Sequence, residues 1–438
     1  MRPRVLLAAT SCWFSTARLA IALARAECDV EINCPFGHPV THRRAGSKIH
    51  PYLFFAPLRS IASAIAAARP DAIIPCDDLA RSHMVRLYGR LGRGGASAEA
   101  ERTVLRNSLG EASMMSVPNG RSELMALAHQ LGVRAPATAP VHRREDLTKW
   151  FVENPLPVVL KTDGSFGGRG VRIADSLVDA DHAWRALRTP PSAGRAIKRA
   201  IVNRDTSYVV PWLRRTRPVV NAQRFVSGRD ANCTVACWKG TMLACITAVV
   251  LETVDSLGPA SVVRVIDNQE MSDAAAAIVS RLKLSGLIGF DFILDEPTGA
   301  AYLIEMNPRA TQICHLPLGM DRDLLRPLRA VLAGEPLLRP AVPVTENDVI
   351  ALFPQEWLRD SQSAFLTTAY HDVPWEEPDL LRRCLTETIE FRAWCRLSAA
   401  ARATRAWLAD AKRKGLGRPD GRRAAIENRT GHADVGRD

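Results

Sequence analysis

The residues Gly289-Phe-Asp-Phe-Ile-Leu-Asp-Glu-Pro-Thr-Gly-Ala-Ala-Tyr-Leu-Ile-Glu-Met-Asn-Pro-Arg309 are the most informative stretch of this sequence. Two apolar runs flank Asp295-Glu-Pro-Thr-Gly299, which its proline and glycine mark as a turn. If the runs pair as strands, Asp291 comes close to Glu305 and Asn307. Carboxylate and amide oxygens are ligands that Mg2+ accepts, so the stretch predicts a magnesium site.

A capped turn with ordinary surface charges is the alternative interpretation of this stretch. Asp291 argues against it, because an acid inside an apolar strand is costly to bury unless it is paired or bound to a cation. Arg309 follows Asn307 by two positions and is suited to holding an anion beside the metal.

A second stretch, Lys161-Thr-Asp-Gly-Ser-Phe-Gly-Gly-Arg-Gly170, places a lysine at the end of a predicted strand and before a glycine-rich loop. Small residues let backbone N–H groups approach phosphate oxygens, and the ammonium adds a point charge for the same anion. The loop lacks the spacing of a P-loop and the context of a dinucleotide fingerprint. A flexible surface hairpin is therefore an alternative for the loop taken by itself.

The order of segments predicts an α/β protein of three parts. In the first part short apolar strands (5–9, 30–34, 71–75) alternate with helical patterns (16–26, 58–68, 79–91), as in a Rossmann-like parallel sheet covered by helices. We predict domains at 1–116, 117–335 and 336–438, the last a mostly helical extension with a basic, disordered tail.

The middle part contains a helix at 121–131, a strand at 157–161 that returns at 171–174, and strand-like runs at 219–226, 233–238, 242–251 and 262–266. A helix at 273–284 precedes the paired strands 287–294 and 301–306. The proline-interrupted basic stretch 190–217 predicts no particular structure.

Composition fits a cytoplasmic protein. The 438 residues are 47% hydrophobic and 24% charged, and no run reaches the roughly 18 apolar residues of a membrane span. The basic start could open a signal or transit peptide, but its apolar run is short enough for a buried strand. Ten cysteines lack paired C-x-x-C spacing, which favours reduced thiols; Cys233 and Cys237 are expected on one strand face rather than at a metal.

The net charge of +12 makes an acidic partner, such as nucleic acid, a polyphosphate or an acidic carrier protein, worth considering. Half of the surplus lies from Arg396 to the end of the sequence, where a solvated tail is the usual explanation. No basic stripe is interleaved with aromatic residues, so the sequence does not favour nucleic-acid binding.

Taken together, the two stretches resemble the ATP-grasp family, and particularly its carbamoyl-phosphate-synthetase-like branch. The resemblance extends over about 118–333, and more loosely over the N-terminal part. It implies a Rossmann-like domain followed by two subdomains that grip ATP. Arg121 matches the family's first basic residue, and Lys161 matches the second, which contacts the nucleotide phosphates. The loop resembles the flap over the phosphates, which implies cofactor contacts at Gly164, Ser165, Gly167, Gly168 and Gly170.

The segment from Asn221 to Asp230 resembles the strand against which adenine lies. By the resemblance Gln223, Phe225, Val226 and Asp230 contact the nucleotide, with Asp230 at the ribose. The family commonly has an acidic residue where this chain has Arg224, which is a departure from the pattern.

Asp291, Glu305 and Asn307 match the family's metal ligands, and Arg309 matches the arginine that steadies the acyl phosphate, so Arg309 and Lys161 are the candidate catalytic residues. The resemblance implies an ATP- and Mg2+-dependent ligase, with Mn2+ as a substitute, that joins a small-molecule carboxylate to an amine, and it implies a homodimer. Two alternatives remain open: a bicarbonate-activating synthetase or carboxylase, and a non-catalytic ATP-binding scaffold.

Substrate choice is expected to depend on the N-terminal part and on loops around the cleft. The candidates are Thr10 to Phe14, Asp77-Asp78 and the stretch 190–217. The first two can equally be explained as caps of the helices that follow them.

Overall fold

The computed structural model describes residues 1–42, 47–92, 95–115, 120–163, 170–202, 208–255, 258–319, 321–336 and 342–386. The chain divides into two units, 1–384 and 385–438. The second unit lies almost wholly outside the described residues.

The N-terminal part is a parallel four-stranded sheet in the order β3-β2-β1-β4. Apolar runs too short for helices become its buried strands, and Ala- and Leu-rich amphipathic segments cover them. The strands are β1 (Arg4–Ala8), β2 (Asp29–Cys34), β3 (Ile49–Pro51) and β4 (Ala72–Pro75). The helices are α1 (Phe14–Arg25), α2 (Pro57–Ala68), α3 (Asp78–Leu91) and α4 (Ala96–Leu109).

A small antiparallel sheet follows, in the order β5-β8-β6-β7. Val158, Leu160 and Ala222 face a core that includes Trp150 and Trp184. Because side chains alternate along a strand, intervening residues such as Lys161 face the opposite side. The strands are β5 (Thr138–Val141), β6 (Val158–Thr162), β7 (Val171–Ala174) and β8 (Val220–Arg224). The helices are α5 (Arg121–Gln130), α6 (Arg144–Glu153), α7 (Leu177–Arg188), α8 (Ala193–Val202) and α9 (Val209–Leu213).

A large seven-stranded sheet has the order β13-β12-β9-β10-β11-β14-β15 and is antiparallel except between its last two strands. Its strands are β9 (Gly228–Trp238), β10 (Thr241–Thr253), β11 (Ala260–Ile266), β12 (Gly286–Asp295), β13 (Ala301–Asn307), β14 (Val349–Ala351) and β15 (Tyr370–His371). Its helices are α10 (Gln269–Leu282), α11 (Leu325–Ala333), α12 (Gln355–Arg359) and α13 (Phe365–Thr368).

The two faces of the large sheet belong to different cores. One face packs against α5 and α10, with Phe290 and Phe292 fully buried there. The other face shares a core with the N-terminal sheet, in which Ile246 of β10 joins Leu7 and Ile32. This shared core sets the N-terminal sheet beside the strands that carry the candidate site.

The predicted fold class is confirmed: a parallel N-terminal sheet precedes two antiparallel sheets. Cys233 and Cys237 are both buried on the same face of β9, as expected. The stretch 190–217 contains α8 and α9, apart from 203–207, which lie outside the described residues. In the part of the chain that the structure describes, no helix has the length and apolar character to cross a bilayer.

Candidate active site

The three oxygen-bearing side chains predicted to converge do so. Asp291 on β12 stands opposite Glu305 on β13 in the strand register. Asn307 donates its amide N–H to Asp291 Oδ2 at 2.8 Å, and Asn232 of β9 donates to Asp291 Oδ1 at 2.6 Å. Because paired residues and residues two apart on a strand share a face, Glu305 and Asn307 lie on the same face as that carboxylate. Their role as metal ligands remains a prediction.

The electrostatics of this group fit a divalent cation. Burial, followed by the negative charge of Glu305, raises the pKa of Asp291 to about 6, although both asparagine amides and Arg309 oppose the shift. Two carboxylates held this close repel each other when ionised, and a bound cation removes the repulsion. Mg2+ characteristically takes one or two carboxylates and fills its other positions with water and phosphate oxygens, which matches this donor set.

Lys161 lies on β6 and faces the same group from the small sheet. Its side chain is buried, and burial followed by the charge of Arg121 lowers its pKa to about 8. The carboxylates of Glu305 and Asp291 act in the opposite direction, as does that of Asp230. The two sheets therefore place basic and acidic side chains on opposite sides of one cleft.

Arg121 connects the two sides of the cleft. It begins α5, and its guanidinium Nη1 lies 3.0 Å from Glu305 Oε2. Its backbone N–H donates to Asp163 Oδ1 at 3.3 Å, and Asn221 donates to the same oxygen at 2.9 Å. Asp163 thus ties the start of α5 to the end of β6. Asp163 stands two residues after the candidate lysine, but no sequence pattern indicates its role.

The glycine-rich loop is seen only at its end. Gly164, Ser165, Gly167 and Gly168 lie outside the described residues, so their predicted contacts with phosphate are not addressed by the structure. Gly170 is buried, and its carbonyl accepts a hydrogen bond from the backbone N–H of Thr162 at 2.9 Å. That bond closes the hairpin between β6 and β7.

The segment predicted to hold adenine connects β8 to β9 and lines a pocket of about 290 Å³. Gln223 is buried and donates to Thr138 Oγ1 at 3.0 Å, so its amide nitrogen faces β5. Arg224 is exposed, and its guanidinium carbon lies 6.0 Å from the ring centre of Tyr302. The pocket is lined by Pro155, Leu156, Pro157, Arg224, Phe225, Val226, Ser227, Asp295 and Tyr302.

Arg309 follows β13 and reaches the N-terminal part. Its Nε donates to Asp78 Oδ2 at 2.8 Å, and its Nη2 donates to Asn307 Oδ1 at 3.2 Å. Burial acts to lower the pKa of Arg309, but the adjacent carboxylate of Asp78 outweighs it and raises that pKa. The arginine is therefore charged and held beside the candidate metal ligands.

Asp77 and Asp78 have separate functions at the start of α3. Asp77 is the N-cap: its Oδ1 accepts from the backbone N–H of Ala80 at 2.8 Å and from the hydroxyl of Thr10 at 2.7 Å. The capping interpretation is confirmed for Asp77, whereas Asp78 pairs with Arg309. For Thr10 to Phe14 the capping interpretation is wrong. The N-cap of α1 is Trp13, whose indole has no acceptor and makes no capping hydrogen bond. The hydroxyl of Thr10 binds Asp77 instead.

Comparisons with known proteins agree with this arrangement. Residues 121–316 match the family model described as the carbamoyl-phosphate synthase L chain, ATP binding domain. The N-terminal section of the carbamoyl phosphate synthase large chain of Methanopyrus kandleri is 25% identical over 266 residues, which are 58% of this chain and 42% of that protein. The chain thus spans less than half the length of this relative.

Solved structures show the same fold at low sequence identity. The biotin carboxylase domain of the 2-oxoglutarate carboxylase of Hydrogenobacter thermophilus, with MgADP, ADP and bicarbonate, superposes with a TM-score of 0.54 at 14% identity, covering 77% of this chain and 71% of that one. For an L-amino acid ligase of Bacillus licheniformis the TM-score is 0.50 at 13% identity, covering 76% and 75%. At such identities the likeness establishes the fold alone.

Proposed function

Residues 121–316 belong to the ATP-grasp family as a carbamoyl-phosphate synthase type ATP-binding domain, and on this premise we propose that the protein is an ATP- and Mg2+-dependent ligase that joins a carboxylate to an amine. The carboxylate attacks the γ-phosphorus of ATP, giving ADP and an acyl phosphate. The amine then attacks the acyl carbon and releases phosphate. The observation that carries the proposal is the grouping of Lys161 with Asp291 and Glu305 across the cleft.

In this proposal the chain's own charges bind and orient the triphosphate. Lys161 and Arg121 neutralise phosphate oxygens, which lets an anionic carboxylate approach the γ-phosphorus. Asp291, Glu305 and Asn307 hold Mg2+, and the same oxygen set accepts Mn2+. The bound metal supplies charge neutralisation on the phosphates. Positioning and electrostatics account for phosphoryl transfer of this type. In the second step the amine loses one proton as the amide forms, and the released phosphate can accept it.

The nucleotide base and sugar are assigned to the connection between β8 and β9. Phe225 and Val226 line the pocket there, and Asp230 is the candidate ribose contact. Arg224 and Tyr302 both line this pocket, so Arg224 lies beside the proposed site of the base in place of the family's acidic residue.

Arg309 is the candidate for stabilising the reacting carbonyl. A developing tetrahedral intermediate carries negative charge on oxygen, and a fixed guanidinium offsets it without having to reorganise. The hydrogen bonds of Arg309 to Asp78 and Asn307 hold that guanidinium in place. A site that excludes water would protect the acyl phosphate from hydrolysis.

Bicarbonate activation is the second candidate function. It is favoured by the structural neighbour crystallised with bicarbonate and by the carbamoyl phosphate synthase relative. An increase in ADP release on adding bicarbonate alone would support it.

We also propose small-molecule substrates and a homodimeric state. We assign the protein to the cytoplasm, where ATP and reduced thiols prevail. Burial raises the pKa of Cys28 and Cys34 to about 12, so these thiols are protonated and unreactive at neutral pH. The structural neighbour from Hydrogenobacter thermophilus was crystallised as a dimer.

The test is Mg2+-dependent release of ADP and phosphate, screened against pools of carboxylates with and without amines. Glu305→Gln keeps the shape of the side chain but removes a candidate metal ligand, so we expect turnover to fall by about 100-fold or more. Glu296→Gln, in the exposed turn of the same hairpin, is the matched control and should retain activity. Normal turnover in Glu305→Gln would refute the assignment of the site.

A further inference from the structure

Gln223 lies on the face of the small sheet that borders the cleft. Asn221 stands opposite Lys161 in the strand register, and Gln223 is two residues further along β8. Residues two apart on a strand share a face, so Gln223 is on the same face as Lys161. Its side chain is 3% exposed, and it directly precedes the connection 224–227 that lines the pocket assigned to the base.

Thr138 determines how the amide of Gln223 is turned. The two residues stand opposite each other in β5 and β8, and Gln223 Nε2 donates to Thr138 Oγ1 at 3.0 Å. A hydroxyl has one proton, and Thr138 donates it to the carbonyl oxygen of Pro136 at 3.0 Å. The hydroxyl can therefore only accept from Gln223. With the amide turned over, two oxygens would face each other with no proton between them.

The carbonyl oxygen of Gln223 is thereby directed away from β5. Among the residues that the structure describes, none donates a hydrogen bond to this Oε1. An acceptor on a nearly buried side chain is costly to leave without a donor. The oxygen therefore favours a ligand that supplies a donor.

Purine bases differ in the group that would meet this acceptor. Adenine carries an amino group at position 6, which donates a hydrogen bond, whereas guanine carries a carbonyl oxygen there, which accepts one. Hypoxanthine, the base of ITP, also has a carbonyl oxygen at position 6. An amino group facing Gln223 Oε1 forms a hydrogen bond, while a carbonyl oxygen in the same place repels it.

We propose that Thr138 is a positioning residue for base recognition: it holds the amide of Gln223 so that Oε1 accepts from the 6-amino group, which selects ATP over ITP and GTP. This inference rests on the proposed function and names the residue that sets the nucleotide preference of the same site. Both hydrogen bonds of Thr138 are made to the protein itself, so the acceptor is oriented before the base binds.

The test measures the Kd of three nucleotides with Mg2+ by isothermal titration: ATP, ITP and purine riboside triphosphate. ITP has a carbonyl at position 6 and a proton on N1. Purine riboside triphosphate lacks the 6-amino group but has no proton on N1, as in ATP, so it isolates the effect of the amino group. The wild type should bind ATP about tenfold more tightly than either of the others.

Thr138→Val keeps the branched shape of the side chain but removes the hydroxyl. The amide of Gln223 can then turn either way and donate Nε2 to a 6-carbonyl. The ratio of the Kd of ITP to that of ATP should therefore fall about tenfold, while the ratio for purine riboside triphosphate should not change. Thr148→Val is the matched control, because it removes an exposed hydroxyl that donates to the carbonyl of Arg144 at 3.3 Å on α6. It should leave both ratios unchanged.

Two further variants separate base recognition from support of the fold. Thr138→Ser keeps the hydroxyl and should keep the preference for ATP over ITP. In the double variant Thr138→Val with Gln223→Glu, the carboxylate has acceptors on both oxygens and no donor. The preference for ATP over ITP should therefore return although the hydroxyl of Thr138 is absent.

Three results would overturn the inference. One is an equal Kd for ATP and ITP in the wild type. Another is a loss of affinity in Thr138→Val by the same factor for all three nucleotides, which is the result expected of a residue that only supports the fold. The third is a double variant that does not regain the preference for ATP.

Turnover is measured separately from binding. If ATP is preferred in the titrations but no carboxylate stimulates ADP release, the proposed function fails while the inference stands. If a carboxylate stimulates ADP release but ITP binds as tightly as ATP, the inference fails while the proposed function stands.

Discussion

The charge of the Lys161 side chain is sensitive to pH, because its pKa is lowered to about 8. Its ammonium is buried beside Arg121, and both burial and that neighbouring positive charge favour the neutral amine. A bound triphosphate has the opposite effect, because its negative charge stabilises the protonated amine of Lys161. Protonation of Lys161 and binding of ATP are therefore thermodynamically linked.

We predict that the Kd of ATP rises as the pH climbs through about 8, the pKa of Lys161 in the free protein. Between about pH 7 and 8 the lysine is largely protonated, so its titration has little effect on binding. Above pH 8 binding must first take up a proton. In Lys161→Arg the guanidinium stays charged, so the rise should disappear. Isothermal titration between about pH 7 and 9.5 measures this, with the exposed Lys149→Arg as control. A flat wild-type profile would contradict the linkage.

Sequence alone was informative about residues that belong to one hairpin. Asp291 and Glu305 could be brought together because a short turn joins their strands. The partner of Arg309 could not be predicted, because Asp78 lies 231 positions away and no local pattern relates them. Likewise the link from Asp163 to Arg121 depends on how α5 packs against β6, which is a tertiary effect.

At the scale of elements, β9 packs closely against β12. This packing sets the position of the last residues of the segment from Asn221 to Asp230, which is proposed to contact the nucleotide. Gly228 begins β9 and pairs with Asp295 at the end of β12. A Cβ on Gly228 would lie 2.0 Å from the carbonyl oxygen of Leu294. Backbone cannot move aside as a flexible side chain can, so the two strands would have to separate.

We therefore expect Gly228→Ala to destabilise the protein by about 1–3 kcal/mol and to weaken ATP binding, since the strand bearing Asp230 would shift. Gly89→Ala is the matched control. It lies in α3 with no atom within 4 Å of the added Cβ, and alanine favours helix by roughly 0.5–1 kcal/mol. Urea denaturation and ATP titration of both variants provide the measurement. An unchanged affinity for ATP in Gly228→Ala would show that ATP binding tolerates a shift of the strand that bears Asp230.

Many strongly patterned elements were predictable, but α6, α7 and α11 were missed, as were several shorter or more polar elements. β3 has three residues, too few to show an alternating pattern. The polar helix α4, which contains Glu99 and Arg102, follows a glycine-rich stretch and has few apolar positions to reveal its period. Likewise β14 pairs with β11 across more than 80 positions, a distance at which sequence patterns carry no pairing information.

Across the whole molecule, a buried charge group joins three distant segments. Asp372 accepts from Arg18 of α1 and lies 2.7 Å from His315 Nε2. All three side chains are buried. Burial acts to raise the pKa of Asp372, but His315 and Arg18 outweigh it and hold that pKa below its ordinary value. The ionised carboxylate thus connects α1, the segment after Arg309 and the strand β15.

Asp372→Asn should lower the free energy of unfolding by about 3–5 kcal/mol at pH 7, because it leaves buried positive charge without its partner. A depressed folded-state pKa means that the contribution of Asp372 is present above the ordinary aspartate pKa of about 3.9 and is lost as the pH falls through the lower folded value. The variant and the wild type should therefore converge in stability in acid.

Urea denaturation at pH 7 and in acid measures the difference. Asp379→Asn removes an exposed partner of Arg382 and should cost no more than about 1 kcal/mol. A cost for Asp372→Asn no larger than this control would rule out the proposed contribution of the buried group.

The pairing of β14 with β11 bears on how the chain avoids self-association. Val262 and Val263 lie in β11, and their strand would become the last in the sheet if the chain were cut after residue 335. Unpaired N–H and C=O groups on an apolar strand are a template for intermolecular addition. We expect such a truncated chain to form β-rich aggregates that bind thioflavin T, whereas a chain cut after residue 386 stays monodisperse in light scattering. By pairing with β11, the strand β14 would thus prevent β11 from adding to a strand of another molecule.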